Sequence, residues 1–275
     1  MLAALVVATV TGLATGLGVV PFLFRKTIPR PAYDTVLGMG AGLMISAATL
    51  GLLGAALEHV HPGGDLDAMA LLIVLGGFAA GHAAMAMLDR LVPHQHAGGH
   101  AEHIGRAHQS HGGDSFHPHE HEHGEEVRQG LLISGAMTIH RLPEGFAIGA
   151  GFAAGSAHTL GWMLAVAVAF QNVCEGTVMG APLRHAGWSR LRCLWVVSAT
   201  GLAVPLAALF GYLASAHIAG ALPFALALAS GALIYLIFNE IIPETHSHGN
   251  EKLATLGLVA GFAITIVVRS LGHAH

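Results

Sequence analysis

The chain of 275 residues is 53% hydrophobic and only 10% charged, with a formal net charge of −4, whereas about a quarter of the residues in an ordinary soluble domain are charged. This composition excludes an ordinary soluble domain and indicates a protein that lies mostly in lipid. The negative charge argues against nucleic acid as a partner, because phosphate binding needs a concentrated basic surface. The two cysteines, Cys174 and Cys193, lie in apolar stretches and indicate no disulfide framework.

Eight segments are long and apolar enough to be membrane-spanning helices, each of which needs roughly 20 mostly apolar residues. The predicted helices are residues 2–24, 35–58, 67–91, 128–153, 159–182, 191–216, 220–242 and 253–271. The 37 glycines fit such a bundle, because small residues let helix backbones approach closely in a bilayer. The sequence therefore predicts a single all-α transmembrane domain over residues 1–275.

Lysine and arginine are distributed unevenly among the connections between these predicted helices. Ten of the twelve basic residues lie in the connections after helices one, three, five and seven, and the connections after helices two, four and six contain none. Cytoplasmic loops carry the excess of Lys and Arg in membrane proteins. We therefore predict a multi-pass protein of the plasma (inner) membrane with both termini outside the cytoplasm.

The connection between helices three and four, residues 93–127, is predicted to be a disordered cytoplasmic loop. It contains ten of the 21 histidines and almost no apolar residue, so it cannot bury enough surface to offset its ordering entropy. Imidazole binds several transition metals, which makes a weak metal buffer one interpretation. A solvated linker whose histidines have no role is the other.

Helices four and five carry ionisable residues in matched patterns. Each has a Glu followed by Gly and preceded four residues earlier by a nitrogen-bearing side chain: His140 with Glu144, and Gln171 with Glu175. Residues four apart share one helix face, and ionisable groups inside a span are costly and usually functional. Imidazole and carboxylate suit zinc and its first-row neighbours. The pattern favours a divalent cation site over interhelical hydrogen bonds that merely stabilise a bundle.

The two motifs, His140-x-x-Pro143-Glu144-Gly145 and Gln171-x-x-x-Glu175-Gly176 on the fourth and fifth of eight helices, closely resemble the signature helices of the ZIP (Zrt-, Irt-like) divalent metal transporters of prokaryotic type. The resemblance covers essentially the whole chain. It implies a bundle with an inverted repeat, helices 1–3 and 6–8, around helices 4 and 5. It also implies alternating access, often in homodimers.

By this resemblance, the primary metal would be held by His140, Glu144, Gln171 and Glu175. Met44 stands where such proteins supply a thioether, although a packing role is equally open. Three departures touch the second metal position of the family: Arg141 and Asn172 inside the motifs, and Val204 before Pro205 in helix six. We predict a single-metal site in which Arg141, three residues before Glu144 on its helix, replaces the second cation. Cys174 stands where Pro is common, and the sequence leaves open whether it packs or binds metal.

Polar residues also lie at the two ends of the predicted path. Glu58, His59 and His61, at the outer end of helix two, are either an entrance that gathers cations or a solvated rim. Glu240, Glu244, His246 and His248, at the inner end of helix seven, resemble the exit segment of the family.

We therefore expect an importer of zinc, or of Fe2+, Mn2+ or Cd2+, with no cofactor and with the metal ion and the lipid bilayer as its partners. An enzyme is not expected, since none of the predicted membrane-spanning helices carries an H-E-x-x-H zinc hydrolase motif. A membrane protein that binds or senses metal without transporting it remains the alternative, because Arg141 could lock the site.

Overall fold

The computed structural model describes residues 1–24, 28–60, 68–91, 120–154, 159–185, 187–218, 220–247 and 249–272, and the regular structure in these ranges is helical. We number the helical segments α1 to α8 in chain order. They are α1 (Leu2–Phe24), α2 (Arg30–Val60), α3 (Ala68–Leu91), α4 (Glu120–Ala153), α5 (Thr159–His185), α6 (Arg190–His217), α7 (Ala221–Thr245) and α8 (Glu251–Gly272). Six of them, namely α1, α2, α3, α5, α6 and α7, are long and apolar enough to cross a membrane. The segments α4 and α8, which the sequence also predicts to span, are helical but lie outside that set.

Two helix boundaries differ from the sequence-based expectation. The fourth helix begins at Glu120 rather than at residue 128, so it takes in the last eight residues of the segment predicted to be a disordered loop. The second helix begins at Arg30 rather than at residue 35, with Pro31 in its first turn. Charged residues form helices well, and proline is tolerated in the first turn. A helix start predicted from hydropathy therefore falls several residues after the true start of the helix.

Glycines bring the helices into backbone contact in pairs. In the pair α2 and α8, a Cβ atom on Gly42 would lie 2.0 Å from the carbonyl oxygen of Leu258, and one on Gly261 would lie 2.1 Å from that of Met39. The same contact recurs at Gly38 and Gly257 in this pair, at Gly77, Gly81 and Gly231 between α3 and α7, and at Gly145, Gly149 and Gly211 between α4 and α6. No residue with a Cβ atom fits at such a distance. The close helix crossings therefore account for these glycines.

Irregular backbone occurs in two helices of the bundle. The α2 segment contains a π-helical stretch, Ala47–Leu53, and α7 contains another, Ile237–Ile241. Pro143 lacks an N–H and can break a helix, yet α4 continues through it. π-helical turns are frequent at functional sites, and Glu240 lies in the π-helical stretch of α7.

The centre of the bundle is formed by α4 and α5, which pack against each other. Large apolar side chains of α1, α3 and α6, among them Leu2, Leu72, Leu206 and Phe210, are exposed on the outside of the molecule. Charged and amide side chains are instead buried on α4 and α5. This distribution, apolar outside and polar inside, is the one expected of a protein surrounded by lipid.

Candidate metal centre

The four residues that resemble primary metal ligands are buried where α4 meets α5. His140 and Glu144 lie one helical turn apart on α4, and Gln171 and Glu175 lie one turn apart on α5. Their exposed fractions are 5%, 0%, 1% and 5%, respectively. The one-turn spacing places each pair on one face of its helix, and the packing of α4 on α5 turns the two faces towards each other.

A single amide joins the two carboxylates of the site. Nε2 of Gln171 donates a hydrogen bond to Oε1 of Glu144 on the facing helix and another, of 2.9 Å, to Oε1 of Glu175 on its own helix. The amide group has two N–H donors, and both are used here to hold two oxygens that could bind a cation. Three of the four predicted ligand residues therefore lie together, with the donor nitrogen of the amide between the two carboxylates.

The fourth ligand, His140, makes a different contact. Its Nε2 atom lies 3.0 Å from Oε2 of Glu240, which is in the π-helical stretch of α7. The two side chains are 6% and 17% exposed, so this pair is largely excluded from solvent. The sequence assigned Glu240 to the exit, and the structure places it directly against a ligand of the central site.

Arg141 is completely buried and is held on three sides. Its Nη1 atom donates to Oδ1 of Asn172 at 2.7 Å, and its Nη2 atom lies 3.2 Å from Oε2 of Glu175 and 3.9 Å from Sδ of Met179. The sequence expected the guanidinium to reach Glu144 along its own helix. The ion pair is instead made across the helix interface with Glu175, because the packing of α4 against α5 turns this face of α4 towards α5.

Asn172 connects this centre to a third helix. Its side-chain amide accepts the bond from Arg141 and donates a 2.9 Å bond to the carbonyl oxygen of Thr11 in α1. Sequence reasoning missed Thr11, and no signal could have found it, because the contact uses a backbone oxygen 161 residues away. Met179 was missed as well, although its position one turn after Glu175 on α5 was a usable signal.

Met44 of α2 lies beside the same centre. It is fully buried and lines a small cavity together with Cys174 and Glu175 of α5. The cavity has a volume of about 10 Å3, which is the room of roughly one water molecule.

The residues expected at the entrance are only partly described. Glu58 and His59 are exposed near the end of α2, and His61 lies outside the described residues. Both ring nitrogens of His59 face backbone carbonyl oxygens, Nδ1 that of Ala55 at 3.0 Å and Nε2 that of Ala154 at 3.3 Å. In this arrangement His59 links the end of α2 to the end of α4.

The residues expected at the exit lie along the last turns of α7. Glu244 is half-buried, and His246 is exposed with its Nδ1 atom 2.8 Å from Oγ1 of Thr245, while His248 lies outside the described residues. Near Glu240 there is a carboxylate that the sequence did not single out. Asp89 of α3 accepts hydrogen bonds from Tyr235 at 2.9 Å and Asn239 at 3.2 Å.

Within the described ranges, no group of three or more His, Cys, Asp or Glu side chains is arranged to hold a metal ion. The reason is that His140 contacts Glu240 of α7, while the guanidinium of Arg141 occupies one side of Glu175. Binding of a cation by all four central residues requires the imidazole to leave Glu240 and the Gln171 amide to present its oxygen in place of its N–H donors.

Comparison with known proteins places the whole chain in one group. Residues 1–269 match the family model described as "ZIP Zinc transporter". The chain is 36% identical over 271 residues to "Zinc transporter GufA" of Myxococcus xanthus, an alignment that covers 98% of this chain and 99% of that protein. It is 36% identical over 262 residues to "Zinc transporter ZIPB" of Bordetella bronchiseptica, with 91% and 75% covered. A third relative, "Zinc transporter ZupT" of Corynebacterium aurimucosum, is 29% identical over 272 residues.

Proposed function

Because the chain belongs to the ZIP zinc transporter family, we propose that it imports a divalent transition metal, with zinc as the principal substrate, through one site between α4 and α5. The family is a transporter family and not a class of enzymes. The metal is cargo, so no cofactor is assigned. Fe2+, Mn2+ and Cd2+ are the competing substrates, because the ligand preferences of these ions overlap.

The observation that carries the proposal is the buried pair of carboxylates bridged by one amide. Glu144 and Glu175 come from different helices, and Gln171 binds an oxygen of each. Burying two carboxylates away from water is expensive unless a cation compensates them. Arg141 compensates one of the two charges, and a transported dication supplies the remaining compensation. His140 completes the ligand set when it is released from Glu240.

A single metal, rather than two, follows from the position of Arg141. Its guanidinium lies 3.2 Å from Glu175, where a second cation would share that carboxylate. At an effective dielectric constant of 20, two unit charges 4 Å apart repel by about 4 kcal/mol, so a dication at that distance would meet about 8 kcal/mol. Arg141 therefore takes the place of the second metal, and Asn172 holds it there.

Alternating access is the mechanism that fits this arrangement. We assign helices 1–3 and 6–8 to an inverted repeat of an eight-span bundle, and three pairs of features support it. Both α2 and α7 contain a π-helical stretch, both α1 and α6 are interrupted, and the pairs α2 with α8 and α3 with α7 cross on glycines. Under such a symmetry the site on α4 and α5 faces each side of the membrane in turn.

The direction of transport is inward, towards the side that carries the basic connections. An inside-negative potential favours entry of a dication by about 2.3 kcal/mol per elementary charge per 100 mV. We place the protein in the plasma (inner) membrane with both termini outside, and a homodimer is the expected assembly.

Uptake of 65Zn into proteoliposomes tests the function. Glu144→Gln and Glu175→Gln each remove one of the two carboxylate charges, and we expect each to lower uptake about tenfold or more, the usual cost of disturbing a metal site. Glu251→Gln, at an exposed position in α8, is the matched control and should leave uptake unchanged. Zinc binding by the unmodified protein without any flux would support the alternative, a metal-binding or sensing protein, and would reject transport.

The number of metals is a separate prediction. Anomalous diffraction at the zinc edge should show one zinc between α4 and α5 in the unmodified protein. The double change Arg141→Asn with Asn172→Asp removes the guanidinium and adds a carboxylate, so a second zinc should appear beside Glu175. Two zinc ions between these helices without any substitution would contradict the role given to Arg141.

A further inference from the structure

Three arginines lie close together where α5 connects to α6. Arg184 is in the last turn of α5, and Arg190 and Arg192 are in the first turn of α6. The candidate membrane span of α5 ends at Ala181 and that of α6 begins at Arg190, so the connection lies at one surface of the membrane. Arg190 and Arg192 are exposed there, and Arg184 is half-buried.

The segment around these arginines is free of acidic residues. Residues 176–239 contain no Asp or Glu, and none of the three arginines forms an ion pair with a carboxylate of the described residues. Arg190 and Arg192 also stand at the amino-terminal end of α6, where the helix dipole is positive and a basic side chain is unfavourable. An anion from outside the chain would compensate this concentration of positive charge.

Trp188 holds two of the arginines in place. The guanidinium of Arg192 lies over its indole ring, 4.1 Å from the centroid, and Nη1 of Arg184 donates a hydrogen bond to its carbonyl oxygen. Trp188 itself is 4% exposed and packs in an apolar cluster with Phe22 and Leu183. A guanidinium stacked on a fixed aromatic ring is oriented before any ligand binds. Basic residues that serve only to orient a protein in the membrane need no such order.

Exposed apolar side chains lie directly beside these charges. Leu191 is 63% exposed and Trp195 is 69% exposed, and their spacing of four residues places them on one face of α6. Trp is enriched where lipid meets water, with its ring at the level of the headgroups. The surface therefore offers guanidinium groups for a phosphate and, next to them, an apolar face for acyl chains.

We propose that Arg190 and Arg192 bind the phosphate of an anionic phospholipid, and that Arg184 adds to the positive potential there. A planar guanidinium binds phosphate oxygens through two parallel hydrogen bonds, and basic pockets between membrane helices bind acidic headgroups. A phospholipid fits better than a free phosphate, because its acyl chains gain the contacts with Leu191 and Trp195. The inference depends neither on the metal that the protein carries nor on the direction of transport.

Native mass spectrometry of the purified full-length protein, titrated with phosphatidylglycerol or with phosphatidylcholine of the same acyl chains, tests the inference. The unmodified protein should retain phosphatidylglycerol in preference to phosphatidylcholine. The double change Arg190→Gln with Arg192→Gln should weaken phosphatidylglycerol binding about tenfold or more, because two charge-assisted contacts are lost. Binding of phosphatidylcholine should not change.

The matched control is Arg90→Gln with Lys252→Gln, which removes two exposed basic residues from α3 and α8. The change in net charge is the same as in the arginine variant. We expect the affinity for either lipid to change less than about twofold, because exposed charges elsewhere on the molecule are screened by salt.

Arg192→Lys distinguishes an ordered site from a general attraction between charges. Lysine keeps the charge but lacks the planar group that stacks on Trp188 and binds two oxygens at once. We expect this variant to bind phosphatidylglycerol about threefold or more weakly, whereas a general attraction would be unchanged. Arg192 is exposed, so its replacement removes no residue of the core.

Excess inorganic phosphate distinguishes the two sources of the anion. It should leave the lipid bound, because it has no acyl chains, and displacement of the lipid would overturn the assignment in favour of a soluble phosphate. Equal retention of the two lipids by the unmodified protein would reject the site, as would equal losses in the arginine variant and its control. None of these results bears on zinc uptake, so the proposed function is tested separately.

Discussion

Arg141 carries a full charge in a position with no access to water, and three neighbours compensate it. The hydrogen bond to Asn172 and the ion pair with Glu175 hold its two terminal nitrogens from the facing helix, while its buried Nε atom has no hydrogen-bond partner among the described residues. Removing one partner of a buried ion pair typically costs 3–5 kcal/mol, about the size of a large core mutation, because the other charge is left uncompensated. The ion pair fixes the position of Glu175 relative to Arg141. The geometry of the site therefore depends on a residue that binds no metal.

His140 is the residue whose present contact differs most from its proposed role. Its imidazole is paired with Glu240 of α7 at 3.0 Å, whereas the other three ligands are joined to one another. Because a metal and Glu240 compete for the same Nε2 atom, each state of the site excludes the other. We therefore expect Glu240 to weaken metal binding and to promote release.

Glu240→Gln tests this competition. Loss of the charge should free His140 for the central site, so zinc binding should tighten by up to about tenfold, which corresponds to 1.4 kcal/mol, while the turnover of zinc uptake falls. Calorimetry and 65Zn uptake measure the two effects.

Glu244→Gln, one turn further along α7, is the control and should leave the affinity of the central site unchanged. Weaker zinc binding in Glu240→Gln would show that Glu240 assists the site instead of competing with it.

At the scale of the helices, glycine determines how closely they pack. The backbone contacts between α2 and α8 leave no room for a Cβ atom at Gly42 or Gly261. These helices flank α5, which carries two of the proposed ligands. The glycines therefore fix how closely α8 packs against α2, the helix that carries Met44.

Gly42→Ala should disturb this crossing. The added Cβ atom would lie 2.0 Å from the carbonyl oxygen of Leu258, and overpacking of this kind typically costs about 1–3 kcal/mol. We therefore expect Gly42→Ala to lower the thermal unfolding temperature of the protein in detergent.

Gly76→Ala is the matched control, since a Cβ atom there has no neighbour within 4 Å and alanine is a better helix former by about 1 kcal/mol. That variant should be as stable as the unmodified protein or more so. Equal destabilisation by both substitutions would mean that the close crossing at Gly42 does not govern the effect.

At the scale of the whole molecule, one prediction concerns the histidine-rich connection between α3 and α4. Its residues 92–119 lie outside the described ranges, and the helix that follows, α4, begins at Glu120. Its role as a weak metal buffer therefore stays a prediction from composition alone. If the connection is only a solvated linker, it should bind no metal.

Replacing the eight histidines between residues 94 and 119 with glutamine keeps the length of the connection and removes its imidazoles. We expect 65Zn uptake to remain within about twofold of the unmodified protein, whereas weak zinc binding outside the central site should fall, because imidazole supplies the metal affinity of this segment. Equilibrium dialysis and uptake assays distinguish the two quantities. Loss of transport would place the connection in the transport path itself.

The membership of the family and the identity of the candidate ligands could be read from the sequence, because both depend on spacing along one helix. Glu144 follows His140 by one turn and Glu175 follows Gln171 by one turn, whatever surrounds them. The six apolar spans are equally local, since a bilayer selects them by length and composition. The predicted starts of α2 and α4 were too late in the chain, because charged residues and proline are compatible with the first turns of a helix.

The contacts between helices could not be read in the same way. Gln171 meets Glu144 across 27 residues, Arg141 meets Asn172 across 31, and Asn172 meets the backbone of Thr11 across 161. The sequence by itself determined a membrane protein of this family and the four residues that face its centre. Only the tertiary structure decided that Arg141 pairs with Glu175, that His140 pairs with Glu240 and that Cys174 shares a cavity with Met44. Each of these contacts depends on how one helix is rotated against another, and that rotation is set by the packing of the whole bundle.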